Sequence, residues 1–439
     1  MKILKNILVT ILTLESRLIL KKYKPFIIAV TGSVGKTSTK DAIFNVLQRQ
    51  SHYVRKSEKS MNSEIGLPLT IIGVPNAWRE LSGWIHNIME GARLIFSKSD
   101  YPDTLVLEIG ADHPGDISNV TAWLKPDISV ITQVSSMPVH VEFFSSPEDV
   151  FEEKACLAEA VKIGGTLVLY ADNEKVLSLV ERVQTGTHVN VISFGTSALA
   201  TIKGSEDTVV YACDDVAGFT IPTGMMFKMD IDGTSVPVSI PGIIGKTYMY
   251  PLLAAAAVGK ARQIPVTSIV EGLHEYNAPK GRMNIIPGIN HSTLIDDTYN
   301  SSPEAVSTAL LTLKDIKTKG AKIAVLGDMM ELGIYSAEQH RAIGKEIVGV
   351  VRTLVTVGQR SRALADEAVK NGFSVAYVKS FDTALEAAEF LNSIIAPGDV
   401  VLIKGSQSIR LEKVVKALMK NSEEAEKLLV RQEKEWLER

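Results

Sequence analysis

The stretch Ile27-Ile28-Ala29-Val30-Thr31-Gly32-Ser33-Val34-Gly35-Lys36-Thr37-Ser38 decides how the chain is read. Four apolar residues and Thr31 predict a buried strand, and two glycines then predict a turn whose backbone N–H groups can close on an anion. Lys36 is placed to reach terminal phosphates, and the Thr37 hydroxyl to hold a magnesium ion. The helix that follows, near Ser38, aims its positive dipole end at the same point. The general phosphate-loop pattern has a glycine five residues before Gly35, where Val30 stands here, so this is a shortened variant. Gly32, Ser33, Val34, Gly35, Lys36, Thr37 and Ser38 are the residues it assigns to a nucleotide triphosphate.

Working outward, 439 residues suffice for two or three domains. An apolar content of 45% and a charged content of 22% are those of an ordinary globular chain. A net charge of −3 gives no general attraction to nucleic acid. Cys156 and Cys213 offer neither a disulfide framework nor metal-ligand spacing, so a reducing, cytoplasmic setting fits. Residues 1–24 read as an amphipathic helix, with Asn6, Thr10, Thr13, Arg17 and Lys21 on one stripe and Ile7, Ile11, Leu14 and Leu18 on another. Its apolar core is too short to span a bilayer. Two readings stay open: packing on the domain behind it, or peripheral contact with a membrane surface.

Along the chain, strands are expected at 104–110, 127–132 and 166–170, with helices at 40–50, 77–98 and 147–161 between them. Alternating strands and helices predict a doubly wound, mostly parallel sheet. Glu108 ends the apolar run at 104–110. Ligands of such sheets sit at the carboxyl ends of strands, so Glu108 is a candidate magnesium ligand. His140 follows the 127–132 strand in a loop and is a second candidate. Lys154 lies among Glu152, Glu153 and Glu159, and spacing alone favours a solvated, ion-pairing face. Residues 191–240 change to short alternating runs such as 209–212 and 226–231, expected as antiparallel strands appended to the sheet. Asn277-Ala278-Pro279-Lys280-Gly281 is a turn-rich hinge. Beyond it, strands at 292–296, 322–326, 353–357 and 400–403 alternate with helices. The expected fold class is therefore α/β: a P-loop central domain with a mostly parallel sheet at 25–278, then a C-terminal Rossmann-like α/β domain at 279–420. The charged tail at 421–439 reads as a solvated helix.

Taken together, several stretches resemble the Mur ligase family. They are the phosphate loop itself, Glu108–Ile117, Pro279-Lys280-Gly281-Arg282, Ile295–Pro303, Leu326–Gly333 and Ile403–Arg410. The last two are most similar to the member that adds D-alanyl-D-alanine to a muramoyl tripeptide nucleotide in peptidoglycan precursor synthesis. The resemblance implies an ADP-forming ligase that makes an amide bond through an acyl phosphate. It implies ATP held by Lys36 and Thr37, and magnesium held by Thr37, Glu108, His140 and a carbamylated Lys154. Arg282 would clamp the γ-phosphate from the second domain, and Asp297 would accept the ribose hydroxyls. Asn300, Asp328 and Arg410 would meet the substrates, Arg410 through the dipeptide carboxylate. The catalytic set so implied is Lys36, His140, Lys154 and Arg282.

Two stretches depart from the family pattern. Gly245-Lys246-Thr247-Tyr248-Met249-Tyr250 stands where the family has an adenine-holding His-Asn-x-x-Asn segment, so no adenine contact transfers. Only 24 residues precede the first strand, so the family's uridine-binding module is expected to be absent or supplied by a separate partner. The acceptor therefore stays open. Two rival readings are another ligase of the family with a different acceptor and amine, such as glutamate, and a non-catalytic phosphate-loop switch.

Overall fold

Among the described residues fifteen strands divide into two sheets. The computed structural model describes residues 2–51, 53–58, 61–78, 80–135, 143–184, 188–214, 217–433 and 436. Its first sheet contains β1 (Phe26–Thr31), β2 (Val54–Lys56), β3 (Thr104–Glu108), β4 (Ile128–Ile131), β5 (Thr166–Tyr170), β6 (Asn190–Gly195), β7 (Ile202–Asp214), β8 (Phe219–Ile231) and β9 (Thr234–Pro241). The order across it is β2-β3-β1-β4-β5-β6-β7-β8-β9. From β2 to β6 every pairing is parallel. β3 and β4 are buried at every residue, and β1 and β5 at all but their first, as a sheet covered on both faces requires. The chain departs from β1 first toward β3 and β2, then toward β4 and β5. The carboxyl end of β1 is therefore the point where the winding reverses and a crevice opens.

The second sheet holds β10 (Asn284–Pro287), β11 (Thr293–Asp297), β12 (Lys322–Gly327), β13 (Thr353–Val357), β14 (Val378–Phe381) and β15 (Val400–Lys404). Its order is β10-β11-β15-β12-β13-β14, parallel except for β10 against β11. The α/β class with two large, mostly parallel sheets is thus the observed one. One buried apolar cluster runs through both units, and another covers the far face of the second sheet.

Two local expectations need correction, and β10 and β14 were not foreseen. The segment at 191–240 does supply appended antiparallel strands, β7 to β9, but it begins with β6, which pairs in parallel with β5, and β7 and β8 are 13 residues each rather than short runs. The polar middle of β7, Ser205-Glu206-Asp207-Thr208, carries a register shift and so hides the strand from an alternation test. β10 and β14 are four-residue edge strands in which Ile286 alone is buried, too short to leave a period. The tail is not a solvated helix. Among the described residues the helical segments of two or more residues there are Ser422–Glu424 and Ala425–Leu428, and Ala425, Leu429 and Val430 are buried.

The N-terminal helix α1 (Lys2–Tyr23) packs on α3 (Gly66–Ile72) and α4 (Leu81–Phe96). It does so through Leu12, Glu15, Ser16 and Ile19, not through the Ile7, Leu14 and Leu18 stripe, which is exposed. The Lys22 amine donates to the carbonyls of Leu94, Ile95 and Ser97 and so caps the end of α4. Tyr23 stacks on Tyr101 at 4.5 Å.

The tail is held mainly by Arg431, whose guanidinium donates to the carbonyls of Thr298 and Tyr299 and to Glu412, 3.1 Å away. Glu412 is fully buried. Replacing Arg431 by alanine should lower stability by about 2–3 kcal/mol, because a buried carboxylate loses a charged donor. A urea titration checks this as a lower midpoint at unchanged slope.

Candidate active site

The crevice at the end of β1 is shaped first by close approach. A Cβ on Gly32 would lie 1.9 Å from the Thr132 hydroxyl, so only glycine lets the loop pass β4 there. That hydroxyl donates to the Val34 carbonyl at 2.8 Å. The N–H groups of Ser33 and Val34 donate to the Gln133 carbonyl at 2.8 and 3.3 Å. Gly35, with φ 84°, is the left-handed residue from which α2 (Lys36–Gln48) starts. Val30, the residue in place of the usual glycine, is a buried strand residue in register with Glu108. The strand simply runs further into the loop.

Lys36 donates its amine to the Gly32 carbonyl at 2.8 Å. Loss of water depresses its pKa, opposed by Glu108 and reinforced by Arg282 from the second unit. Glu108 is buried at the end of β3. It accepts from the Thr37 hydroxyl at 3.1 Å and from the Asn62 amide at 3.4 Å, and its second oxygen lies 3.8 Å from the Lys40 amine. Hydroxyl and carboxylate oxygens side by side suit a hard cation such as magnesium. Among the described residues no group of three or more His, Cys, Asp or Glu forms a metal cluster. His140 lies outside the described residues.

Lys154 is not on a solvated face. It is 4% exposed, on α6 (Pro147–Glu159). Burial, with Lys36 nearby, lowers its pKa to about 7, against the attraction of Glu153 and Asp112. The neighbouring carboxylates are committed elsewhere. Glu153 accepts from the N–H groups of Gly115, Ile117 and Ser118 and so caps α5 (Asp116–Thr121). Glu152 pairs with Arg182 at 2.7 Å.

From the second unit, Arg282 lies over the Tyr299 ring at 4.3 Å, and its carbonyl accepts the Tyr248 hydroxyl. Tyr248 belongs to the segment that departs from the family's adenine motif, and here it ties the first unit to Arg282. Asp297 is buried and pairs with Lys404 at 2.6 Å. Lys404 also donates to the Asn300 carbonyl at 3.0 Å. Gln133, whose carbonyl closes the phosphate loop, is bonded through its side chain to Glu304 of the second unit.

Asp328 and Arg410 have partners of their own. Asp328 accepts the Ser361 N–H at 2.8 Å and fills the space beside Gly358. Arg410 bonds to Glu412 and to the Trp436 carbonyl. Sequence reasoning did not single out Lys40, Asn62, Gln133, Glu153 or Lys404. Lys404, a lysine closing the apolar run of β15, is the one that could have been found, by the argument that found Glu108.

The Mur ligase middle-domain model matches residues 30–259, and the Mur ligase glutamate ligase domain model matches 281–407. The chain belongs to the Mur ligase family. It is 28% identical over 396 residues to the UDP-N-acetylmuramoyl-tripeptide–D-alanyl-D-alanine ligase of Bacillus subtilis (strain 168), covering 90% of this chain and 76% of that one. It is 30% identical over 404 residues to the enzyme of the same name from Mycobacterium leprae (strain TN), covering 88% and 72%. Among solved structures, MurF ligase from Thermotoga maritima in complex with ADP superposes with a TM-score of 0.74 at 25% identity, over 96% of this chain and 84% of that one. MurF from Acinetobacter baumannii, at 22% identity and a TM-score of 0.75 over 94% and 81%, has the same fold.

Gly32→Ala should push the loop off Thr132 and weaken ADP binding at least tenfold, about 1.4 kcal/mol. Calorimetric titration of ADP checks this. The double variant with Thr132→Ala, which removes the clashing hydroxyl, should recover part of the loss.

Proposed function

We propose that the chain is an ATP-dependent ligase that joins D-alanyl-D-alanine to a UDP-muramoyl-tripeptide through an acyl phosphate. One observation carries the reading: the Thr37–Glu108 pair and Lys36 face Arg282 across the boundary between the units, in a chain whose relatives bear that ligase name. The bound ADP of the Thermotoga maritima relative supports ATP as the nucleotide.

In this reading a carboxylate oxygen of the tripeptide attacks the γ-phosphorus while the bond to the ADP oxygen breaks. The dipeptide amine then attacks the acyl carbon, loses a proton, and phosphate leaves. Both first reactants are anions, so their approach needs positive charge from Lys36 and Arg282. Thr37 and Glu108 would hold magnesium, which supplies further charge to the phosphate oxygens when bound. The hinge at 277–281 lets the second unit close and keep water from the anhydride. Asp297 would receive the ribose, with Lys404 fixing its carboxylate. Asn300, Asp328 and Arg410 stand as substrate contacts made on closure.

Lys154 would act as a carbamate. Its neutral amine bonds to the carbon of carbon dioxide and gives up a proton to water, turning an ammonium into an oxygen anion beside the phosphate loop. Only the neutral amine reacts. With a pKa near 7 instead of the ordinary 10.5, the reactive fraction grows as pH rises, from roughly a tenth at pH 6 to about nine-tenths at pH 8. After carbon dioxide is stripped, bicarbonate should therefore restore activity more fully at pH 8 than at pH 6. A carbon-13 bicarbonate label should give a carbamate resonance that Lys154→Ala lacks. Equal activity of Lys154→Ala and wild type would remove this role.

Lys36→Ala should abolish ADP formation, and ADP release in wild type should require both the tripeptide nucleotide and the dipeptide. Release that follows a different amine identifies another ligase of the family, and slow release without any acceptor identifies a nucleotide switch.

A further inference from the structure

α1 and α4 run side by side in the same direction. Glu15 lies against Gly91, and further along Lys22 and Tyr23 reach the carbonyls of Leu94 and Ser97. Beside this seam the pair shows solvent an apolar strip. Leu14 and Leu18 of α1 are 55% and 42% exposed, and Ile7 is 52% exposed. On α4, Leu81, Ile85, Met89 and Phe96 range from 53% to 87% exposed. Turning each helix by about 100° per residue from the contacts that join them puts both sets on the same side of the pair. Trp78, 77% exposed, stands just before α4.

The exposed charges that α1 brings to the strip are cations, although Lys5 is paired with Glu64 at 2.7 Å and the Lys22 amine is bonded to carbonyls at the end of α4. Every charge that the described side chains of α1 expose is positive, at Lys5, Arg17, Lys21 and Lys22, while Glu15 is buried. Along the flank of α1 runs a groove of about 770 Å³ in which Leu14, Leu18 and Trp123 meet Arg17, Lys21, Lys24 and Lys125. Its one carboxylate, Asp127, is paired with Lys162 at 2.8 Å. Phe26 and Ile27 also line it. The groove therefore sits at the amino end of β1, about 20 Å of strand from the phosphate loop.

We propose that this face docks the protein on the surface of a bilayer containing anionic lipid. An exposed strip of bulky aliphatic and aromatic residues beside a row of cations is what an interfacial helix offers to headgroups and upper acyl chains. No helix among the described residues is long and apolar enough to cross a membrane, so the pair lies on the surface. The cations favour an anionic lipid surface over an uncharged one. The proposal stands independently of which acceptor the site uses.

The test is co-sedimentation of the full chain with vesicles of phosphatidylcholine alone or mixed with phosphatidylglycerol. Wild type should pellet with the mixed vesicles, far less with phosphatidylcholine alone, and less as salt is raised. Lys21→Ala with Lys24→Ala should lower binding roughly 30-fold, at about 1 kcal/mol per cation. Leu14→Gln with Leu81→Gln should also lower it, and both variants should keep the wild-type melting temperature because the side chains are exposed. Failure of wild type to pellet with mixed vesicles overturns the proposal, as does wild-type binding by both variants. Self-association in solution that the same substitutions abolish, without vesicle binding, would make the face a protein interface and equally overturn it.

Discussion

A carboxylate taken out of water at the end of a strand has to be met by donors, and Glu108 imposes that requirement on everything around it. Thr37 comes from the first turn of α2, Asn62 from the segment before α3, and Lys40 from one turn further along α2. The Lys40 amine also donates to the Ser57 carbonyl, and the Ser57 hydroxyl accepts the Glu108 N–H. Segments distant in sequence are thereby drawn to one point at the end of β3. The contacts that compensate the buried charge also set a hydroxyl beside a carboxylate at the place where the sheet's winding reverses. Local stability and the proposed cation site rest on one arrangement.

That arrangement reaches the second unit by few bonds. The N–H groups of Ser33 and Val34 hold the Gln133 carbonyl, and the Gln133 side chain meets Glu304 at the start of the helix Pro303–Asp315. On the other side of the crevice, Tyr248 holds the Arg282 backbone while Tyr299 lies under its guanidinium. The geometry of the phosphate loop and the position of Arg282 are thus tied to how the units meet. A motion that separates them must break the contact between the Gln133 side chain and Glu304.

β1, β3, β4 and β5 were legible because strands buried on both faces leave continuous apolar runs, and the phosphate loop because its residue types are set by sterics and charge. Glu108 could be found since an acid closing such a run contradicts its surroundings. Lys154 could not be found by spacing, because what places it is the commitment of Glu152 to Arg182 and Glu153 to α5, both non-local. Which face of α1 is seated was not legible for a related reason. Periodicity identifies the apolar stripe, whereas the seated face is fixed by Gly91 admitting Glu15 and by Lys22 capping α4. The tail looked solvated because its charges dominate its composition, yet Arg431 finds a buried acid that only the fold supplies.

Among the buried or half-buried lysines of the nucleotide region, the partners of Lys404, Lys36 and Lys154 separate the chemistry of these three. Lys404 loses water but keeps Asp297 at 2.6 Å, so its charge is compensated and it serves as a fixed donor. Lys36 faces Glu108 and also Arg282, which leaves it able to exchange the Gly32 carbonyl for a stronger anion. Lys154 has only Glu153 and Asp112 in opposition, and Glu153 already answers three N–H groups of α5. Of the three it is the amine least rewarded for keeping its proton, and therefore the one suited to become a carbon dioxide adduct. Adding that anion beside Lys36 would reverse the sign of their interaction, turning a mutual repulsion into an attraction that steadies the phosphate-binding lysine.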